Sequence, residues 1–335
     1  RIPLESFRVP AVHAYEALMW PCLSLADASH VASQYATRAI MASQQFRHNQ
    51  QQNRERTEIN GAETLFRHTS VPFVKVAAPS PPQPKPIRLG YISPDFTGLH
   101  PLAFLMQDVF CFHDKSQFDV WIYSLCESDS SPEVEKIKSA ANQWTVLPPN
   151  PQDSIDILQA DDLDIMIDLC GYTGPSAVAE IMASRVAPVQ IAYMGFPAST
   201  GASFIDYMIC DKVVVPPTQP RIRKYYSEHL ILMPHCYFVN SHKYLAAAAP
   251  GEIAHMPRLS REAQGLPVNG FVFCCHSRPE KIDPSTFRSW LQVLTKLRQE
   301  GDTPAQTNAV LWLLRSGDAM EHNLRQIAKE EFGLE

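Results

Sequence analysis

The stretch "IRLGYISPDFTGLHPLAFLM", residues 87–106, decides the fold. Ile87 to Ser93 is a short apolar run with strand character. Pro94 breaks it, a polar turn carries Asp95 and His100, and Pro101 follows the histidine directly. From Pro101 onward the apolar residues take helical spacing, and proline suits a first helical turn, whose N–H has no partner anyway. A buried strand that passes through a polar turn into a helix is the opening of a strand–helix–strand unit.

The same pattern continues downstream. The apolar runs "FDVWIYSL", "LDIMIDL", "PVQIAYM" and "HLILM" are mostly separated by helix-like stretches near 101–111, 131–142, 152–160 and 175–184. Strands apolar throughout, alternating with helices, predict an α/β fold with a parallel sheet covered on both faces. In such sheets ligands bind beyond the carboxyl ends of the strands, where Asp95 and His100 are expected to sit.

Residues 87–242 therefore read as a first α/β domain. Ahead of it, residues 1–70 are a helical N-terminal segment, Ala-rich and apolar-periodic up to about residue 47. "RHNQQQNRERTEING" (47–61) reads as polar and poorly structured. A proline-rich linker spans 71–86, and "VAAPSPPQPKP" in it suits a stiff tether. Residues 243–268 read as an interdomain connection. Residues 269–335 begin a second α/β unit with the strands "FVFCC" and "AVLWLLR" and two helices. Two strands and two helices do not close a doubly wound domain, so this unit is expected to be incomplete.

Composition sets the class. The chain has 335 residues, 45% of them hydrophobic and 19% charged, which suits globular domains with ordinary cores. The net charge of −6 speaks against a nucleic-acid partner, which calls for a basic face. No apolar run reaches the roughly 18 residues that cross a bilayer, so no membrane partner is expected. The first residue is Arg1, so the native N-terminus is expected to lie upstream. The eight cysteines show no CxxC spacing and sit mostly in strand-like runs; they read as buried reduced thiols, favouring cytosol or nucleus.

Four stretches carry candidate chemistry. Asp95 and His100 form either a base with its orienting partner or a helix cap beside a surface histidine. "DLCGYTGPSAVAEIMASR" (168–185) places small residues and Thr173 before a helix, either an anion site or an ordinary turn. "MGFPASTGASFIDY" (194–207) is long for a turn and suits a binding loop or irregular surface. "CCHSRPEKIDPSTF" (274–287) puts Lys281 before a helix start, to meet phosphate or merely solvent. No GxGxxG, GxxxxGK or GxSxG motif occurs, and no histidine pair has metal-ligand spacing.

Together these stretches resemble the protein O-linked N-acetylglucosaminyltransferases, the OGT and SPINDLY group. The family pattern Ser-Asp-Phe-Gly-Asn-His-Pro appears as "YISPDFTGLHP". Asn-Gly-Tyr-Thr followed by a helix ending Arg-Pro-Ala-Pro-Ile-Gln appears as "LCGYTGPSAVAEIMASRVAPVQ". "YMGFPASTGASFIDYMICD" and "YYSEHLILMPHCYFVN" are similar to the plant-type branch, and Tyr-Lys-Ile-Asp-Pro-Ser-Thr appears as "EKIDPSTF" with "VLWLLR" after it. The likeness covers roughly 87–242 and 268–315 in order, and touches "VHAYEALMWPCLS" weakly.

The resemblance implies two Rossmann-like domains facing a cleft, the glycosyltransferase B-type fold, with tetratricopeptide repeats ahead of them. It implies inverting transfer of N-acetylglucosamine from UDP-GlcNAc to Ser or Thr hydroxyls of nuclear and cytoplasmic proteins, with no metal and no cofactor beyond the donor. His100 and Asp95 match the residues proposed for proton transfer, and Lys281 the lysine at the UDP diphosphate. Thr200 and Gly201 match the loop near the sugar; Pro101, Thr173 and Arg278 lie on the matched motifs.

Departures from the pattern are also plain. The first loop has one extra residue, Leu99 stands for Asn, and Phe104 stands for a second histidine. Arg278 and Glu280 stand for Gln and Tyr, and Tyr15 and Glu16 fall where animal enzymes carry His-His. The family's His-Thr-Thr nucleotide segment would lie beyond Glu335, so the isolated 335 residues are not expected to turn over. A SPINDLY-like O-fucosyltransferase using GDP-fucose and a degenerate non-catalytic module stay open as alternatives.

Overall fold

A computed structural model describes residues 12–61, 85–174, 177–243 and 260–334. Most of the proline-rich linker and much of the interdomain connection lie outside the described residues. The chain divides into two compact units, residues 1–17 with 23–245, and residues 18–22 with 246–335.

The first unit is built on seven parallel strands: β1 Ile87–Ser93, β2 Phe118–Ser124, β3 Gln143–Val146, β4 Ile165–Asp168, β5 Val189–Ala192, β6 Tyr207–Asp211 and β7 His229–Met233. Their order is β3-β2-β1-β4-β5-β6-β7. The chain winds outward from β1 to β3, returns to the middle, and winds the other way from β4 to β7. β3, in "QWTV", is half-buried at the sheet edge and lacks the apolar run that marks the other strands.

The helices in chain order are α1 Ala14–Ala17, α2 Leu25–Gly61, α3 Pro101–Met106, α4 Pro132–Ala140, α5 Pro151–Ala160, α6 Val178–Ala183 and α7 Pro220–Arg223. Alternate residues of β1 feed opposite cores, as the period of a strand dictates. Tyr91 joins Leu102, Met106, Phe110 and Ile137 on the face covered by α3 and α4. Ile92 joins Leu158, Met166, Ile181 and Met182 on the face covered by α5 and α6.

α2 belongs to that second face. Ala32, Ala36, Ala39 and Ser43 are all buried and recur at helical spacing, a narrow stripe that lets the backbone approach closely. The helix continues through Gly61, so the segment 47–61, expected to be poorly structured, is helical. Its Gln, Arg and Glu residues are good helix formers and no proline or glycine interrupts them before Gly61. Among the described residues no helix is long and apolar enough to cross a membrane.

The second unit holds a parallel pair, β8 Val272–Cys275 and β9 Val310–Leu313, with helices α8 Pro284–Glu300, α9 Pro304–Thr307 and α10 Asp318–Phe332. Its core gathers Phe287, Leu291, Leu294, Ala309 and Leu334. All eight cysteines are free, but only Cys170 and Cys210 are buried. The expectation of buried thiols fails at Cys22, Cys111, Cys236 and Cys274, which are exposed.

Candidate active site

β1 and β4 are neighbours, and the winding direction reverses between them. That reversal opens a crevice at the carboxyl edge of a parallel sheet, the usual ligand site of such folds. The loops after β1, β4 and β5 stand side by side there.

The β1 loop is held rigidly. The buried Ser93 accepts the Asp95 N–H at 3.0 Å on its Oγ. The Thr97 N–H donates to Asp95 O at 2.9 Å, and the His100 N–H donates to Thr97 O at 3.1 Å. Phe96 is fully buried against Phe110 and Trp144, at ring distances of 6.2 and 5.7 Å. From the loop after β2, Asp129 Oδ2 accepts the Thr97 hydroxyl at 2.6 Å and the Gly98 N–H at 2.7 Å. The Thr97 hydroxyl, together with Ser131, whose N–H donates to Oδ1 at 3.0 Å, holds the Asp129 carboxyl far below the ordinary range. A side chain at Gly98 would run into Ser131, so the clamp needs glycine there.

His100 is the N-cap of α3, with Pro101 in the first turn. Its Nδ1 accepts the Leu102 N–H at 3.3 Å. Nε2 then faces Asp95 Oδ1 at 3.9 Å. The structure thus brings together the two sequence-predicted residues, and the cap and the acid–histidine pair coexist in one side chain. Burial pushes the Asp95 carboxyl above its ordinary value, against the opposing pull of His100. A carboxylate so placed binds a proton more tightly than an exposed one. Leu99, beside the pair, is 92% exposed.

In the loop after β4, Asp168 Oδ1 accepts the N–H groups of Cys170 and Gly171 at 2.8 and 2.9 Å. Thr173 donates its hydroxyl to Cys170 O at 3.0 Å. Gly171 has φ +55° and a Cβ there would lie 2.6 Å from Phe196. Gly195 has φ +50° and would clash with Leu169 O at 2.4 Å. The β4 and β5 loops are therefore pressed backbone to side chain, which only glycine permits.

The β5–β6 link crosses without a helix, from the carboxyl edge of β5 down to the start of β6. Its tip, Gly195 to Ala198, carries the exposed Pro197 at that edge. Thr200 and Gly201 lie further down. Thr200 is buried, its hydroxyl donating to Glu228 and its carbonyl accepting the Tyr172 hydroxyl at 3.0 Å. Gly201 has φ +63° and packs under α2 beside Ser33. The Thr200 hydroxyl is thus committed within the protein.

In the second unit, Lys281 ends a short turn, Pro279–Lys281, and is exposed, as is Arg278. Asp283 caps α8, accepting the N–H groups of Ser285 and Thr286 at 2.9 and 3.0 Å. The Ser285 and Thr286 hydroxyls also donate to it, and these bonds, ahead of the N–H groups, drive the Asp283 carboxyl well below the ordinary range. The positive end of α8 is therefore already met by a carboxylate, and Lys281 is an exposed cation beside it.

Residues that sequence reasoning missed are Asp129, Tyr172 and Glu228. Each acts on a loop about 30 residues away along the chain, and no local spacing announces such a pairing.

The family model for Glycosyl transferase family 41 matches residues 3–255 and 245–335. The protein named "Probable UDP-N-acetylglucosamine--peptide N-acetylglucosaminyltransferase SEC" of Arabidopsis thaliana is 36% identical over 245 residues, 73% of this chain and 23% of that protein. The UDP-N-acetylglucosamine--peptide N-acetylglucosaminyltransferase of Caenorhabditis elegans is 32% identical over 70% of this chain and 18% of its own length. The chain thus spans less than a quarter of the length of these two relatives. A solved mutant of the Thermobaculum terrenum O-GlcNAc transferase superposes with TM-score 0.65 over 97% of this chain and 53% of that one, at 21% identity, a likeness of fold. With its two matched segments taking in nearly every residue, and the Asp95–His100 turn at the switch point of the sheet, the chain belongs to glycosyl transferase family 41.

Proposed function

We propose that the chain is the catalytic part of a protein O-GlcNAc transferase, moving N-acetylglucosamine from UDP-GlcNAc to Ser and Thr hydroxyls of nuclear and cytoplasmic proteins with inversion. The observation that carries this reading is Asp95, raised in pKa by burial, 3.9 Å from His100 at the switch point.

The chemistry follows from those two groups. The acceptor oxygen attacks the anomeric carbon, its bond to the UDP oxygen breaks, and the hydroxyl proton is released. With Nδ1 of neutral His100 occupied by the Leu102 N–H, the ring carries its own proton on Nε2. The Nε2–H then faces Asp95 Oδ1 across 3.9 Å, and Asp95 is the proton acceptor. The departing UDP gains negative charge, which Lys281 neutralises in place of a metal. Thr173, Pro101 and Arg278 support the donor side, and Thr200 and Gly201 act through the shape of their loop.

The test uses the full-length protein with an acceptor protein and either UDP-GlcNAc or GDP-fucose, with and without a chelator. Transfer from UDP-GlcNAc, unchanged by chelator, supports the reading. Transfer from GDP-fucose alone would make the protein a fucosyltransferase. Loss of activity with chelator would remove Lys281 from its assigned role, and no transfer from either donor would leave a non-catalytic module.

A further inference from the structure

Glu228 stands immediately before β7 and is fully buried, yet no part of the proposed chemistry uses it. Its Oε2 accepts the Ser199 hydroxyl at 2.8 Å. Its Oε1 accepts the Thr200 N–H at 2.7 Å and also the Thr200 hydroxyl. Every one of these bonds uses Glu228 as acceptor.

The partners favour this arrangement. Ser199 Oγ already accepts the N–H groups of Gly201 and Ser227, at 3.2 and 3.1 Å, so its one proton goes outward, to Glu228 Oε2 at 2.8 Å in preference to Ser227 Oγ at 3.3 Å. Thr200 Oγ1 accepts the Ala202 N–H at 3.3 Å, so its proton is likewise free for Glu228. A hydroxyl supplies one proton and two lone pairs, and both hydroxyls are used accordingly. A carboxylate fits this set of donors; an amide presents two protons where Ser199 needs an acceptor. Arg223 stiffens the far side by donating to Glu228 O at 2.9 Å and to Tyr226 O at 2.6 Å.

The clamp acts on one arm of the β5–β6 link. Tyr172, from the β4 loop, holds the Thr200 carbonyl from the other direction. Its ring also meets Phe196 at 5.3 Å, next to the loop tip. The arm is therefore fixed at two points, and the tip from Gly195 to Ala198 is set at the carboxyl edge beside the β4 loop.

We propose that Glu228 is a positioning residue which, through Ser199 and Thr200, fixes the β5–β6 loop in the shape that receives the donor sugar. This rests on the reading of that loop as part of the donor site. The residue touches no substrate and acts only through the loop.

The test compares Glu228→Gln, Glu228→Ala and Thr200→Val with wild type. Amide exchange in the 335-residue chain reads the loop, and donor kinetics in the full-length protein read the site, both well below the unfolding temperature. Glu228→Ala is expected to speed exchange at Thr200 and Gly201 about tenfold or more, and to raise the half-saturating donor concentration by about tenfold. Glu228→Gln, which keeps the acceptor for Thr200 but not for Ser199, and Thr200→Val, which keeps the volume but loses the hydroxyl, are expected to fall between Glu228→Ala and wild type. The loss should fall on half-saturation more than on turnover. Unchanged exchange in all three variants would overturn the clamp. Faster exchange with unchanged donor half-saturation would overturn the positioning role while leaving the transferase reading intact. A wild-type protein that transfers no sugar would overturn both.

Discussion

His100 Nδ1 accepts the Leu102 N–H at 3.3 Å, so the ring that faces Asp95 is also the cap of the helix behind it. The two duties are separable by substitution. His100→Asn keeps a side-chain acceptor for the cap, whereas His100→Ala removes cap and ring together. We expect Ala to lower stability by about 1 kcal/mol and Asn by a few tenths at most. Transfer activity of the full-length protein should fall by about 100-fold or more in both. Denaturant titration beside a donor assay checks this. Full activity in His100→Asn would reduce the histidine to its cap.

Asp95 makes stability depend on pH in a definite direction. Its carboxyl is raised above 3.8 by burial, so the folded state holds the proton more tightly than the unfolded chain. The penalty for ionising it is absent below 3.8 and grows as pH rises from there through the raised folded value. Asp95→Asn should therefore stabilise the protein at pH about 7 and have little effect at pH about 3. Urea midpoints at the two pH values read the difference, and a destabilised variant at neutral pH would refute it.

Gln190 is fully buried and fully bonded. Its Nε2 donates to Met182 O at 2.8 Å and to Phe204 O at 2.7 Å, and its Oε1 accepts the Val186 N–H at 3.0 Å. Gln190→Leu fits the space but strands the Val186 N–H, while Met182 O and Phe204 O each lose one donor and keep another from Arg185. We expect a loss of about 2 kcal/mol. Equilibrium unfolding measures it, and a loss below about 1 kcal/mol would mean that water reaches these groups.

Gly201 is the point where the β5–β6 link passes beneath α2. Its φ is +63°, and a Cβ would lie 3.0 Å from Ser33 N. Gly201→Ala is expected to cost about 1–3 kcal/mol and to loosen α2 around Ser33. Faster amide exchange near Ser33, with β1 to β4 unaffected, is the signature. Unchanged exchange there would show that α2 does not depend on this contact.

The strands were legible because apolar runs between turn residues suit a sheet covered on both faces. β3 escaped because an edge strand needs no such run. Asp95 and His100 could be read because most bonds shaping their turn close within a few residues, the Asp129 clamp and the Cys126 thiol on Phe96 O being exceptions. Asp129 and Glu228 could not, since their partners lie 31 and 28 residues away. The 47–61 segment was misread for a related reason. Apolar periodicity reports the face a helix buries, and a helix of Gln, Arg and Glu forms without announcing one. Thr200 shows the opposite limit: its position on a loop motif was visible, but not that its hydroxyl turns inward.

The reversal of winding between β1 and β4 has a consequence for how such a protein changes over time. The crevice walls are drawn from stretches of chain far apart in sequence: the β1 turn is fastened by Asp129 of the loop after β2, and the β4 and β5 loops by each other. The β1 turn is held between Phe96, buried in the core, and Asp129, a side chain on a different loop. A change of length in the β1 turn therefore meets a different set of bonds from those that hold the β4 and β5 loops. Specificity can be revised one wall at a time, while the sheet that aligns the walls stays as inherited.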